Sequence, residues 1–324
     1  MNEKELNIYS KKKKEFLSFL NKKPLKGLYD PINYIFNSEG KNIRPFFIIL
    51  IYKFYSGRSS SINSVALAVQ ALHNFTLIHD DIMDDSQLRR GGLTVHRKWD
   101  INTAILSGDA LMIYCYQILS SVKFKKKEKL FNFFTKTAIQ VCEGQQLDID
   151  FQKKEKVEIK DYLNMINLKT GALFAFSFSV GPLLLDRDKD EKKMYDLGIL
   201  LGQLFQIQDD YLDLFGDEKL IGKKIGGDVI KRKKTVMYHV YKDISSSEDS
   251  RFLDQIYDDN KLEDLTKVEK ITSLYKDKEV NIKTRKLSQE YSSKAISLIE
   301  KLNIKNDNKT GLIDICNKLL SRDY

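Results

Sequence analysis

Two clusters of aspartates contain the residues whose types and spacing could do chemistry. The first lies in LIHDDIMDDSQLRRGG at 77–92 and the second in QDDYLDLFGD at 208–217. Each cluster has two aspartates four residues apart, which on a helix places both carboxylates on one face, about 5–6 Å apart at Cβ. Like charges at that spacing repel each other, so a cation is expected beside them. The candidate metal ligands are Asp80, Asp81, Asp84, Asp209, Asp210 and Asp213.

The all-oxygen character of the clusters indicates which cation they would bind. Carboxylates without histidine or cysteine favour Mg²⁺, which takes one or two protein carboxylates, keeps several waters and completes its shell with phosphate oxygens. One D-D-x-x-D is more often a solvated helix end. Two copies, 129 residues apart and each at the end of a long apolar helix, favour Mg²⁺ around a diphosphate.

Long helices are expected to position both clusters. Residues 65–90 contain no Gly or Pro and predict one buried helix that ends at the glycines at 91 and 92. Residues 194–215 predict a second, which ends at Gly216, and the segments between them also have helical patterns. With 4 prolines and 16 glycines in 324 residues, we expect one all-α domain over residues 1–324, a bundle of ten or more helices.

Composition argues against several other classes of protein. The formal net charge of +9 and lysine runs such as 11–14 could indicate nucleic acid, but the lysines accompany 45 acidic residues and lack interleaved aromatics. We therefore expect solvated helix faces and no nucleic-acid partner. The longest apolar stretches, 45–52 and 172–185, are shorter than the roughly 20 residues of a transmembrane helix. The N-terminus shows no secretory signal, so a cytoplasmic location is expected.

Seven stretches of the sequence resemble the trans-isoprenyl diphosphate synthases, which include farnesyl and geranylgeranyl diphosphate synthases. They occur in the order typical of that family and span nearly 200 residues. The stretches are GKNIRP (40–45), LHNFTLIHDDIMDDSQLRRG (72–91), GDALM (108–112), GQQLD (144–148), KTGALF (169–174), FQIQDDYLDLFGD (205–217) and GKKIGGDVIKRKKT (222–235).

The resemblance implies a fold and a reaction. The fold is the isoprenoid synthase fold, in which helices surround a central cavity and the two aspartate motifs face each other across its mouth. The reaction is a Mg²⁺-dependent head-to-tail (1′-4) condensation of isopentenyl diphosphate with an allylic diphosphate, which is dimethylallyl, geranyl or farnesyl diphosphate. The product is a C15 to C20 all-trans prenyl diphosphate. A homodimer and three Mg²⁺ ions in each active site are also implied.

The same resemblance assigns roles to individual residues. The direct Mg²⁺ ligands would be Asp80, Asp84 and Asp209, and the supporting carboxylates Asp81, Asp210 and Asp213. The allylic diphosphate would be held by Arg89, Lys169, Lys224 and Lys233, with Gln145 and Asp148 nearby. Isopentenyl diphosphate would be held by Lys41, Arg44, His73 and Arg90. The residues that assist ionisation and steady the allylic cation would be Lys169, Thr170, Gln206 and Lys224.

Product length is expected to depend on the helix that carries the first cluster. Thr76, Phe75 and Leu72 lie four, five and eight residues before Asp80, so one to two turns deeper on roughly the same side. Phe75 is expected to form the floor beneath the growing chain, which predicts a C15 to C20 product.

The sequence departs from the family at one place, and three alternatives were weighed. Glu39 and Asn42 stand where the family often has Gly and Arg, which affects the expected affinity for isopentenyl diphosphate.

A class I terpene cyclase shares the first aspartate motif, but its second metal motif usually mixes Asn, Ser or Thr with Glu. A non-catalytic prenyltransferase subunit tends to lose a motif that this chain keeps. A basic DNA-binding protein would show salt-dependent DNA retention.

Overall fold

The computed structural model describes residues 3–38, 40, 42–216 and 225–320. Most of these residues are helical, and they form more than ten helices, as the sequence predicts. The helices are α1 (Glu3–Asn21), α2 (Lys26–Asn37), α3 (Ile43–Phe54), α4 (Ile62–Met83), α5 (Val95–Lys98), α6 (Ile101–Ser120), α7 (Lys127–Lys153), α8 (Ile159–Ile166), α9 (Ala172–Leu184), α10 (Asp188–Phe215), α11 (Gly227–Ile230), α12 (Val236–Ile244), α13 (Ser247–Asp258), α14 (Asp264–Asp277), α15 (Val280–Glu300) and α16 (Asn306–Leu320).

Two irregular elements interrupt this helical pattern. A π-helical turn, Asn167–Gly171, joins α8 to α9. A two-stranded antiparallel hairpin follows α4, with β1 (Leu88–Arg89) paired to β2 (Gly92–Leu93). Both elements carry residues to which the sequence assigns a role in the site.

The contacts between residues divide the chain into two compact units. The first comprises Met1–Ala138 and Leu173–Tyr195, and the second Ile139–Ala172 and Asp196–Tyr324. The expectation of a single domain over residues 1–324 stays a prediction.

The first unit is built around α4, which packs most extensively against α6 and next against α3. Most side chains of α4 before its last turn are buried because this helix is apolar around most of its circumference. In the second unit, α15 packs against α16 and α12, and α11 packs against α14. Its interior contains fully buried aromatic side chains such as Tyr241 and Tyr275.

No helix in the described ranges has the length and hydropathy that a bilayer-crossing segment requires.

Candidate active site

The helix that carries the first aspartate cluster ends earlier than the sequence predicts. The expected helix over 65–90 was wrong at its C-terminal end, because α4 ends at Met83 and Asp85 has a left-handed backbone with φ of 47°. The backbone N–H of Ser86 donates to Asp81 O at 2.9 Å, and that of Asp85 donates to Ile82 O at 3.1 Å. These two bonds form a Schellman motif, which stops a helix without glycine when aspartate tolerates the left-handed region.

The expected spacing of the first cluster survives this earlier end. The backbone N–H of Asp84 still donates to Asp80 O at 2.8 Å, as in a continuing helical turn. Both side chains are half-buried. Their carboxylates therefore lie one turn apart on the same side of α4.

The hairpin after α4 returns Arg89 to the first cluster. Arg90 and Gly91 both have positive φ, 53° and 77°, as the two central residues of a type I′ turn require. Arg89 Nη2 lies 2.5 Å from Asp81 Oδ1, and its Nε donates to the same oxygen at 3.0 Å. Burial raises the pKa of Asp81, and the adjacent Arg89 charge opposes that rise. The arginine thus compensates a carboxylate that is 1% exposed.

Three of the four residues assigned to the second diphosphate are among the described residues, and two of them, Arg44 and Arg90, place positive charge near His73. Arg44 Nη1 lies 3.2 Å from His73 Nε2. Burial lowers the pKa of His73 well below its usual value, and the charges of Arg44 and Arg90 lower it further, so the ring is neutral. A Cβ atom at Gly40 would lie 2.5 Å from Nη1 of Arg90, so this glycine leaves room for the guanidinium. Lys41 lies outside the described residues.

The residues assigned to chain length occupy two sides of α4. Leu72 is 1% exposed, whereas Thr76 is half-buried and donates its hydroxyl to His73 O at 2.8 Å. The Phe75 ring lies 4.6 Å from the ring of His79, between centroids. Phe75 is therefore offset around the helix from the line that joins Leu72, Thr76 and Asp80.

His79 explains the glycine of the GDALM stretch. A Cβ atom at Gly108 would overlap the His79 ring, whose Nε2 also lies 3.3 Å from Ile105 O. Gly108 therefore lets α6 approach α4 closely. This histidine contributes to packing, as a histidine facing away from the aspartates is expected to.

The second cluster lies at the C-terminal end of α10, which ends at Phe215 as the sequence predicts. Asp209 is half-buried, whereas Asp210 and Asp213 are 3% and 4% exposed. The same helix carries Gly202 two turns before Asp210 and Gln206 one turn before it. α10 thus presents a glycine, an amide and a carboxylate along one face.

The π turn is enclosed by glycines of two other helices. A Cβ atom at Gly202 would lie 2.6 Å from Cα of Gly171, and a Cβ atom at Gly144 of α7 would overlap the backbone of Lys169. Both glycines therefore permit backbone to approach backbone. Thr170, within the turn, donates its hydroxyl to Gln206 Oε1 at 2.9 Å.

Lys169 and Lys233 share one carboxylate. Lys169 Nζ lies 2.6 Å from Asp148 Oδ2, and Lys233 Nζ lies 3.3 Å from the same atom. Burial alone would raise the pKa of Asp148, but the two lysines lower it to about 2. Gln145, on the preceding turn of α7, is also buried. Lys224, the other lysine assigned to this diphosphate, lies outside the described residues.

The carboxylate of Asp210 is the centre of a buried hydrogen-bond network. Its Oδ1 accepts from Gln206 Nε2 at 2.9 Å. Its Oδ2 accepts from the hydroxyl of Tyr162 and from the backbone N–H of Val236, the latter at 3.2 Å. Burial raises the pKa of Asp210, and the charge of Asp228 raises it further. The chain Thr170, Gln206, Asp210 and Tyr162 is therefore continuous.

Asp213 is oriented by the first residues of α11 and by the glycine before them. The backbone N–H of Asp228 donates to Asp213 Oδ2 at 2.9 Å, and a Cβ atom at Gly227 would lie 3.4 Å from Oδ1. The backbone N–H of Gly226 also donates to Asp213 O. Asp213 is thus fixed by backbone groups 13 to 15 residues further along the chain.

Several of these residues of the second unit line one cavity. Its walls combine the lysine and carboxylate groups just described with apolar side chains of α7 and α8. The lining residues are Asp148, Phe151, Gln152, Tyr162, Met165, Ile166, Lys169, Gln206, Asp210, Asp228, Lys233, Lys234 and Thr235.

Two residues of this site, Tyr162 and Asp228, are not among those that the sequence predicts. Tyr162 lies seven residues before Lys169 and so two helical turns earlier on the same side, which is a signal that could have found it. Asp228 follows the Gly226-Gly227 pair, and the turn there directs the backbone N–H of Asp228 to the carboxylate of Asp213. That the two aspartate clusters face each other remains a prediction.

The donor set suits Mg²⁺. Within the described ranges, no three His, Cys, Asp or Glu side chains are grouped closely enough to hold a metal ion by themselves. Mg²⁺ does not need such a cage, because it binds through one or two carboxylates together with water and substrate phosphates. The half-buried pair Asp80 and Asp84 provides that arrangement.

Comparison with known proteins identifies the family. The polyprenyl synthetase family model matches residues 25–275. A short chain isoprenyl diphosphate synthase of Methanocaldococcus jannaschii is 35% identical over 76% of each chain. A geranylgeranyl diphosphate synthase of Sulfolobus acidocaldarius is 39% identical over 65% of each chain. A crystal structure of a geranylgeranyl pyrophosphate synthase is 36% identical, covers 100% of both chains and has a TM-score of 0.91. A crystal structure of the geranylgeranyl pyrophosphate synthetase from Pyrococcus horikoshii is 30% identical, covers 98% of both chains and has a TM-score of 0.86.

The chain therefore belongs to the polyprenyl synthetase family and has the isoprenoid synthase fold. Within it, the chain is a trans-prenyltransferase, which condenses isopentenyl diphosphate with an allylic diphosphate.

Proposed function

We propose that the chain makes a C20 prenyl diphosphate, at the upper end of the C15 to C20 range, from isopentenyl diphosphate and an allylic primer. The observation that carries the residue roles is the cavity that Lys169, Gln206 and Asp210 line, with Thr170 hydrogen-bonded to Gln206 beside it. It combines a cation that can hold a departing anion with oxygen lone pairs that can steady a carbocation. Two relatives named geranylgeranyl synthases support the C20 product.

Mg²⁺, with three ions in each active site, is the proposed cofactor. When bound, it neutralises the allylic diphosphate and stabilises the pyrophosphate that leaves. The direct ligands would be Asp80, Asp84 and Asp209. The supporting carboxylates would be Asp81, Asp210 and Asp213. The contacts of Asp81 with Arg89, and of Asp213 with Asp228, support an orienting role.

The residues around the π turn would act on the allylic substrate. Lys169 and Lys233 bind its diphosphate, because both amino groups already converge on one oxygen of Asp148. Together with Lys224 and Arg89 they would stabilise negative charge as the allylic C–O bond breaks. Thr170 and Gln206 would orient oxygen atoms toward the allylic cation. Apolar walls would exclude the water that converts this cation to an alcohol.

The basic group of the first unit would bind isopentenyl diphosphate. Arg44 donates to His73 Nε2 when the proton of the neutral ring is on Nδ1, and Arg90 supplies a second guanidinium. Lys41 would complete the set. The double bond then attacks the cation, and the proton released from the adduct passes to the departing pyrophosphate.

A homodimer in the cytoplasm completes the proposal. The outer face of α6 exposes an apolar stripe, which supports contact with a second copy of the chain. Its exposed fractions are 54% at Ile101, 40% at Ile105, 60% at Leu106 and 69% at Ile113.

Product analysis of the purified chain tests the proposal. Incubation with isopentenyl diphosphate, Mg²⁺ and each allylic primer in turn, followed by sizing of the dephosphorylated lipids, should give a C20 alcohol. Asp80→Ala and Asp209→Ala should each abolish it. A main product of any length other than C20 would reject the proposed length, and hydrocarbon formed without isopentenyl diphosphate would reject the condensation.

A further inference from the structure

The outward face of α1 and the turn after it form a surface that the prenyl transfer reaction does not use. We call it the N-terminal face. Its apolar residues are exposed, at 39% for Ile8, 43% for Phe19 and 64% for Leu25. Its exposed lysines are Lys11, Lys14, Lys22 and Lys26. Large apolar side chains exposed among lysines are typical of an interaction surface rather than of a solvated one.

The opposite side of α1 is anchored to the first unit. Phe16, Leu17 and Leu20 are buried, and α1 packs against α4 and α2. Lys13 Nζ donates to Phe36 O at 2.6 Å, so this lysine of the run faces inward. The helix is thus held in one orientation, and the N-terminal face points away from the core.

The segment of sequence that contains this face is rich in positive charge. The first 27 residues contain eight lysines and three glutamates, a net of +5 in a chain whose total is +9. Between residues 7 and 27, Glu15 is the one acidic residue in the sequence. The partner is therefore negatively charged.

The geometry favours a flat partner with an apolar interior. Ile8 and Phe19 are eleven residues apart, which is three helical turns, so they point the same way about 16 Å apart along α1. Lys23 Nζ lies 4.6 Å from the centre of the Phe19 ring, which places a charge beside the aromatic group. Basic residues that flank exposed Ile, Phe and Leu match the headgroup and acyl layers of an anionic bilayer. Nucleic acid offers no apolar layer for Ile8 and Leu25.

We propose that the N-terminal face docks α1 parallel to the surface of an anionic lipid bilayer. The bilayer is the phase into which a prenyl diphosphate partitions, because this product has a long hydrocarbon tail and an anionic head. Docking would therefore hold the enzyme where its product goes.

Vesicle flotation of the full-length protein tests the proposal. Wild type should float with vesicles that contain phosphatidylserine and not with vesicles of phosphatidylcholine alone, and raised salt should weaken its binding. Lys11→Gln, Lys14→Gln and Lys22→Gln combined should weaken binding about 100-fold, since each lysine near an anionic surface contributes about five-fold. Phe19→Ser with Leu25→Ser should reduce the binding that remains at high salt.

A second set of exposed lysines provides the matched control. Lys283, Lys286 and Lys294 of α15 are exposed, and replacing all three by glutamine makes the same change in net charge. This variant should float like wild type. The proposal would be overturned if both triple variants lost binding equally, or if the α1 triple variant floated as strongly as wild type. It would also be overturned if wild type did not bind anionic vesicles, or if it bound an added oligonucleotide in preference to them.

All variants should keep wild-type condensation activity in a vesicle-free assay, because none alters a proposed active-site residue. Loss of flotation with full activity therefore separates this proposal from the proposed function.

Discussion

Lys169 Nζ and Asp148 Oδ2 lie 2.6 Å apart, and Lys233 approaches the same oxygen at 3.3 Å. A buried carboxylate between two ammonium groups can be satisfied only while it is ionised. This triad therefore links the acid stability of the fold to the residues that would bind the allylic diphosphate.

Asp148→Asn should change how stability depends on pH. An acid whose pKa is lower in the folded state stabilises the fold above its unfolded pKa and loses that effect as pH falls toward the folded value, here about 2. The difference between the unfolded and folded pKa of Asp148 corresponds to about 2 kcal/mol of folding stability. This contribution is lost as the pH falls from about 4 to about 2. Urea unfolding of the metal-free protein across this range should show that loss in wild type and not in the variant. Asp150→Asn, on the same helix, should behave like wild type, and an unchanged acid profile for Asp148→Asn would contradict the expectation.

Gly202→Ala should destabilise the protein and disturb the π turn. The added Cβ would lie 2.6 Å from the Cα of Gly171, so backbone must shift, at a cost of about 1–3 kcal/mol. The Thr170 to Gln206 hydrogen bond should lengthen with that shift, and kcat should fall. Gly311→Ala is the control, because a Cβ there meets nothing within 4 Å and alanine favours a helix by up to about 1 kcal/mol. If Gly202→Ala stabilises the protein as Gly311→Ala does, the backbone at Gly171 leaves room for a Cβ atom and the expectation is wrong.

Tyr162→Phe should weaken Mg²⁺ binding without unfolding the protein. It removes the hydroxyl that donates to Asp210 and keeps the ring. Loss of a partner that orients a metal-binding carboxylate costs about 10- to 100-fold in metal affinity or activity. The Mg²⁺ concentration for half-maximal rate should rise accordingly. Tyr275→Phe also removes a buried tyrosine hydroxyl, but one that contacts Tyr257, and should leave the Mg²⁺ titration unchanged. Equal effects of the two substitutions would indicate a general loss of stability instead.

Product length should respond to the two sides of α4 separately. Phe75→Ala should lengthen the product by removing the expected floor. Thr76→Phe should shorten it, because position 76 lies one turn beneath Asp80 on the same side of the helix. Lipid sizing by chromatography measures both. An unchanged product in Phe75→Ala together with a shorter one in Thr76→Phe would transfer the floor role to the line through Leu72.

The sequence predicts the helical fold and the spacing within each aspartate cluster, because both depend on local periodicity. It does not predict where α4 ends, since 65–90 has no Gly or Pro. The end is set by the left-handed backbone of Asp85 and by the capture of Asp81 by Arg89. These effects depend on contacts formed after the chain turns back.

The π turn is beyond local prediction for a similar reason. The sequence KTG at 169–171 is compatible with ordinary helix, but Gly144 and Gly202 allow two helices distant in sequence to contact its backbone closely. Tyr162 at helical spacing resembles an ordinary core residue. Its place two turns before Lys169 is the one sequence signal for a role in the site, and its hydrogen bond to Asp210 supplies the structural one.

The hairpin after α4 limits how this part of the chain can change length. Leu88 pairs with Leu93, and Arg89 pairs with Gly92, so the register delivers Arg89 to Asp81 while the left-handed backbone of Arg90 sends the next guanidinium toward Gly40. One inserted or deleted residue would shift both arginines by one position, so at most one of the two places would still receive a guanidinium. The exposed Leu88 and Leu93 side chains have fewer constraints on their replacement. Engineering of this loop should therefore vary its composition and leave its length unaltered.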